Sequence, residues 1–71
     1  MNRITLLRYE RGLSRAQVGR AVGVSAKQLG LIERGEAVPR PATAKALANF
    51  YGVTVAELLG VDPNGDAEAV A

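Results

Sequence analysis

An all-α fold is predicted by three features of the chain. Apolar residues recur at helical spacing in five short stretches, and no run shows the period-2 alternation of a strand. A Ser/Thr-x-x-Gln/Glu box also recurs three times, at Ser14–Gln17, Ser25–Gln28 and Thr54–Glu57. In such a box the Ser or Thr oxygen accepts from a free N–H of the first helical turn, and the Gln or Glu side chain reaches back to the cap. A length of 71 residues allows one domain with a small core and marginal stability.

The first stretch, Arg3 to Glu10, sets Ile4 and Leu7 three apart, continues that face with Arg8 and Arg11, and stops at Gly12. The second opens at Ser14, buries Val18 and Val22, and ends at Gly23. The third opens at Ser25, carries Leu29 and Ile32, and ends at Gly35. Glu36 to Pro41 is a connector whose Val38-Pro39 and Arg40-Pro41 steps favour extended backbone, and Pro41 suits a first helical position. Ala44, Leu47, Ala48 and Tyr51 then form the stripe of a fourth helix. A fifth runs from Thr54 through Leu58 and Leu59 to Gly60. Residues 1–60 form the predicted domain, and 61–71, with Asp62-Pro63-Asn64-Gly65-Asp66, read as an acidic, disordered tail.

The net charge of +2 hides an asymmetry. Residues 1–45 hold all nine cations against three carboxylates, whereas 46–71 hold four carboxylates and no cation. A polyanion would meet the basic front. Without cysteine or histidine the chain has no disulfide framework, no thiolate site and neither the commonest metal ligand nor the commonest general base. The acids are scattered and the serines fall at predicted caps, so no catalytic pair emerges and an enzyme is not expected. No cofactor, metal or small-molecule ligand is indicated. No apolar run approaches the roughly 20 residues of a membrane span, and the composition reads as soluble and cytoplasmic.

The stretch Arg15–Arg34 has the spacing of a helix-turn-helix. Two helices that cross closely need a small residue at the crossing (Gly19), a glycine in the turn (Gly23) and a buried apolar side chain after it (Val24). The exposed face of the second helix is then free to enter a major groove.

The same residues carry a resemblance. Leu7-Arg8-x-x-Arg11-Gly12-Leu13-Ser14, Gly23-Val24-Ser25, Ile32-Glu33-Arg34-Gly35 with Pro39, Leu47-Ala48 and Gly52-Val53-x-x-x-Glu57-Leu58-Leu59 are in the order and spacing of a known domain. The chain resembles, over about residues 4–60, the Cro/CI-type helix-turn-helix domain of phage repressors and their bacterial relatives. The resemblance implies a compact five-helix, lambda-repressor-like fold whose helices 2 and 3 form the helix-turn-helix, and a sequence-specific transcriptional regulator that represses by occluding its operator.

It further implies that Ala26 to Glu33 is the recognition helix. Arg15, where the family frequently has glutamine, and Arg34 would clamp phosphates. Ala26, Lys27 and Leu31 match the positions that usually read bases, with Lys27 donating to guanine and Ala26 touching a thymine methyl, while Gln28 would contact phosphate or base and Ser25 would lie beside them at the DNA. Arg40 matches a loop position that approaches the minor groove in some relatives. Arg8 and Glu33 match an ion pair bridging the first and third helices. The partners implied are double-stranded DNA with two-fold operator symmetry and a second copy of the chain, paired through helices 4 and 5 around Phe50, Tyr51, Leu58, Leu59 and Val61.

Gly30 and Leu31 depart from the pattern, since relatives often carry polar residues there; Gly30 reads either as a close backbone approach to DNA or, the favoured reading, as an exposed position that tolerates glycine. The departure leaves one alternative, a protein-interaction module of the same fold, such as an antirepressor or inhibitor, that does not bind DNA.

Overall fold

The computed structural model describes residues 2–60. Five helices follow one another: α1 (Arg3–Glu10), α2 (Arg15–Val22), α3 (Ala26–Glu33), α4 (Pro41–Tyr51) and α5 (Val55–Leu58). No strand occurs among the described residues, in agreement with the all-α reading. The expected tail, 61–71, lies outside the described residues.

The caps explain where the helices begin. The boxes at Ser14–Gln17 and Thr54–Glu57 close in both directions, with the four bonds between 2.8 and 3.1 Å. The middle box closes by half. Gln28 N donates to Ser25 Oγ at 3.0 Å, but the Gln28 amide does not return to the cap and remains on an exposed side chain. Helix α1 is capped by Asn2, whose Oδ1 accepts from Thr5 N at 2.9 Å. Helix α4 has no side-chain cap and begins with Pro41, which has no N–H to satisfy.

The turn from α2 to α3 is Gly23-Val24-Ser25. Gly23 adopts φ +85°, a left-handed conformation that costs other residues more, and both Gly23 N and Val24 N donate to the Gly19 carbonyl, at 2.7 and 2.9 Å. The returning backbone lies so close that a Cβ on Gly19 would collide with the Val24 carbonyl oxygen. Glycine at the crossing is therefore a steric requirement of the backbone, as the helix-turn-helix spacing predicts.

Every helix contributes to one core. Val18, Leu29, Leu47 and Leu58, each from a different helix, have no exposed surface, and Ile4, Leu7, Ile32, Ala44, Ala48 and Tyr51 complete the cluster. Burial of each of the four fully enclosed side chains contributes on the order of 1.5–3 kcal/mol. Helix α4 packs against α2 and α5, and α5 against α1, so the helix-turn-helix rests on a scaffold of the other three helices.

Two cations counted in the basic front are tied to the fold, one buried and one exposed. Arg8 is buried. Arg11 donates from Nη1 to Leu7 O at 3.0 Å and from Nη2 to Tyr51 O at 2.7 Å, and its guanidinium lies 5.1 Å from the Tyr51 ring centre. The apolar cluster also divides. Tyr51 and Leu58 belong to the core, whereas Phe50, Leu59 and the neighbouring Val55 are exposed; Val61 lies outside the described residues. No described helix is long and apolar enough to cross a membrane.

Candidate nucleic-acid interface

Helix α3 divides along its length as its sequence dictates. Leu29, Ile32 and Glu33 face the interior, while Ala26, Lys27 and Gln28 are exposed and Leu31 is half-buried. Ser25 stands exposed at the N-cap, and Lys27 makes no ion pair among the described residues. The helix therefore offers a short, small and polar N-terminal surface with one free ammonium, which suits the base edges of a major groove.

The orientation of α3 is set by a buried carboxylate. Glu33 accepts from Arg8 Nε at 2.7 Å and Arg8 Nη2 at 3.0 Å, a bidentate contact between α1 and α3, and again from Arg15 Nε of α2 at 2.9 Å. Arg8 Nη1 also donates to Leu13 O at 3.0 Å, which ties the loop before α2 to the same group. One side chain thus fixes three helices. Burial alone would raise the Glu33 pKa, but hydrogen bonds from Arg8 and then Arg15 outweigh it and hold the carboxyl below its usual range. The bond to Glu33 raises the Arg8 pKa in turn.

Helix α1 also satisfies the last carbonyls of α3. Asn2 Nδ2 donates to Ile32 O at 3.2 Å, and the buried Thr5 hydroxyl lies 3.5 Å from Glu33 O as a donor. The cap role of Asn2 is readable from its residue type and its place before the first periodic stretch. Its bond to Ile32 is not, because that partner is distant in sequence.

The remaining cations are placed unevenly. Arg15 and Arg34 converge on α3 at Gly30 and line an open cleft of about 740 Å³ with Asn2, Thr5, Glu33, Gly35 and Glu36. Arg34 caps the C-terminus of α3, and its Nε donates to Glu36 Oε2 at 2.9 Å in an exposed pair. Arg40 is exposed at the N-cap of α4 and does not line this cleft. Gly30 corrects the sequence reading: it is buried, not exposed, because the two guanidiniums lie over it.

Comparison with known proteins accords with this architecture. A family model described as a helix-turn-helix domain matches residues 2–63. An HTH-type transcriptional regulator, DdrOP3, of Deinococcus deserti is 41% identical over 70 residues, 97% of this chain and 54% of the relative. The cryptic phage CTXphi transcriptional repressor RstR of Vibrio cholerae is 38% identical over 58 residues, 82% of this chain and 52% of that protein. The chain thus spans about half the length of these curated relatives. With the matched region running through all five helices and the crossing at Gly19 built as the motif requires, the chain belongs to the helix-turn-helix domain family.

Proposed function

We propose that this chain binds double-stranded DNA sequence-specifically and regulates transcription, acting as a repressor by covering its operator. The observation that carries the proposal is the outer face of α3. Ala26, Lys27 and Gln28 stand free of the rest of the protein, and Arg15 and Arg34 flank them at the other end of the helix. Such a face has hydrogen-bonding groups for base edges beside guanidiniums for the backbone. The relatives' names, a transcriptional regulator and a phage transcriptional repressor, support the same reading.

In this reading Ala26, Lys27 and Leu31 lie at the bases, Gln28 contacts base or phosphate, Ser25 stands at the groove edge, Arg15 and Arg34 hold phosphates, and Arg40 approaches the minor groove. Arg8 and Glu33 aim the helix without touching the ligand. The chain pairs with a second copy through α4 and α5, where Phe50, Val55 and Leu59 are exposed, and the operator carries the matching two-fold symmetry. A chromosome-binding regulator of this kind works in the cytoplasm of its cell.

Selection of bound sequences from a random duplex pool tests recognition and palindromy together. Lys27→Ala is expected to relax base preference at one position, by about 1–3 kcal/mol. Arg34→Ala should weaken all duplexes alike and flatten the salt dependence. Failure of the wild-type chain to retain any duplex at low ionic strength would remove the proposal.

A further inference from the structure

Arg15 and Arg34 lie on different elements, yet three observations join them. Each guanidinium has its Nε edge committed to a carboxylate, Arg15 to Glu33 Oε1 at 2.9 Å and Arg34 to Glu36 Oε2 at 2.9 Å. Held by that edge, both turn Nη1 toward one point, the side of Gly30 where any other residue carries a Cβ. Measured from that position, Arg34 Nη1 lies at 3.2 Å and Arg15 Nη1 at 3.6 Å. The two nitrogens are thus within about 7 Å of each other, and because each carboxylate engages Nε, the Nη groups on this side remain able to donate to a further acceptor. The third observation is Gly30 itself, which is buried under the pair in the middle of a helix, where glycine is a poor helix former.

We propose that Arg15, Arg34 and the bare backbone at Gly30 form one seat for a single DNA phosphate, with Gly30 as its positioning residue. The inference rests on the DNA-binding reading of α3 and adds that two cations address one phosphate together. A phosphate has two non-bridging oxygens, and two guanidiniums converging from either side can donate to both. A side chain at position 30 would occupy the space in which the two Nη1 atoms meet. A Cβ at position 30 would press on Arg34 Nη1 and touch Arg15 Nη1 at ordinary contact distance, and a longer side chain would reach further between them; both are far ends of flexible side chains and not backbone, so a bulky residue there moves guanidiniums before it moves the helix.

The test uses the full chain and a duplex selected from the random pool, neutralised one phosphate at a time by methylphosphonate, with binding read by fluorescence anisotropy. The wild type should show one phosphate whose neutralisation costs about tenfold in affinity, the worth of a charge-assisted hydrogen bond. That sensitivity should vanish at the same phosphate in Arg15→Ala, in Arg34→Ala and in Gly30→Leu. Gly30→Leu should also lose about tenfold on selected and mixed-sequence duplexes alike, while its helical circular dichroism matches that of the wild type. Arg34→Ala and Gly30→Leu leave the buried Arg8–Glu33 pair untouched, so they decide the matter even where Arg15→Ala folds poorly. Gly30→Leu binding as wild type, or Arg34→Ala and Gly30→Leu silencing different phosphates, overturns the shared seat while DNA binding stands. Loss of all duplex binding by the wild type overturns the parent reading instead.

Discussion

Glu33 has 1% of its side chain exposed and sits between the guanidiniums of Arg8 and Arg15. Glu33→Ala strands the Arg8 charge, which is 8% exposed, and should cost about 3–5 kcal/mol. That is a large share of the 5–15 kcal/mol typical of a folded domain, and urea unfolding measures it directly. The pH dependence follows from the same contacts. Because the folded carboxyl is held below its usual range, the unfolded chain takes up the proton first as pH falls. The stabilisation is therefore complete above the ordinary carboxylate pKa of about 4.3 and is lost as pH drops through the lower, folded value. Glu57 shifts the same way, chiefly through the Thr54 backbone N–H and then its hydroxyl. Wild-type Tm should be level above this window and fall below it, whereas Glu33→Gln should start lower and fall less. Parallel profiles would show that Glu33 does not govern acid unfolding. The Arg8–Glu33 pairing was visible as a resemblance between two positions. The third member was not, since an arginine at the start of α2 gives no sign in sequence of which carboxylate it will meet.

Among the elements, the helix starts were the most legible part of the fold, because a cap is a local event: Ser14, Ser25 and Thr54 sit within three residues of the groups they satisfy. The crossing at Gly19 was legible for a similar reason, as its partner is only the next turn. Gly30 was opaque because its neighbours come from the start of α2 and the end of α3, and only the assembled helix pair brings them over it. The two buried helical glycines should accordingly respond to the same substitution with opposite sign. Gly19→Ala drives a Cβ into the Val24 carbonyl, so the turn must shift, at a cost of about 1–3 kcal/mol. Gly30→Ala meets a flexible guanidinium and gains helix propensity of up to about 1 kcal/mol. Denaturation midpoints of the two variants measure the contrast, and a Gly19→Ala protein as stable as wild type would mean that the turn yields without cost.

At the scale of the whole molecule, charge counted along the chain overstates the basic face, because Arg8 is buried, the exposed Arg11 is bonded to the carbonyls of Leu7 and Tyr51, and Arg3 lines a second cleft with Ile4, Val38 and Leu59. On the proposed DNA-binding reading, what remains around α3 is a small reader, and a reader that spans a single half-site gains affinity chiefly by being paired. The proposed pairing through α4 and α5 makes a definite demand on Leu59. This residue is 46% exposed, whereas Leu58 beside it is wholly enclosed in the core, so a charge at position 59 should leave the fold intact. Leu59→Glu is expected to scatter light as a monomer and to lose about a hundredfold in affinity for a two-fold duplex, since the second half-site is then no longer held at high effective concentration. Its affinity for an isolated half-site should be unchanged, because α3 and its flanking arginines are untouched. A wild-type chain that is monomeric both alone and on the two-fold duplex, or a Leu59→Glu variant that binds that duplex as tightly as wild type, would exclude pairing through this face.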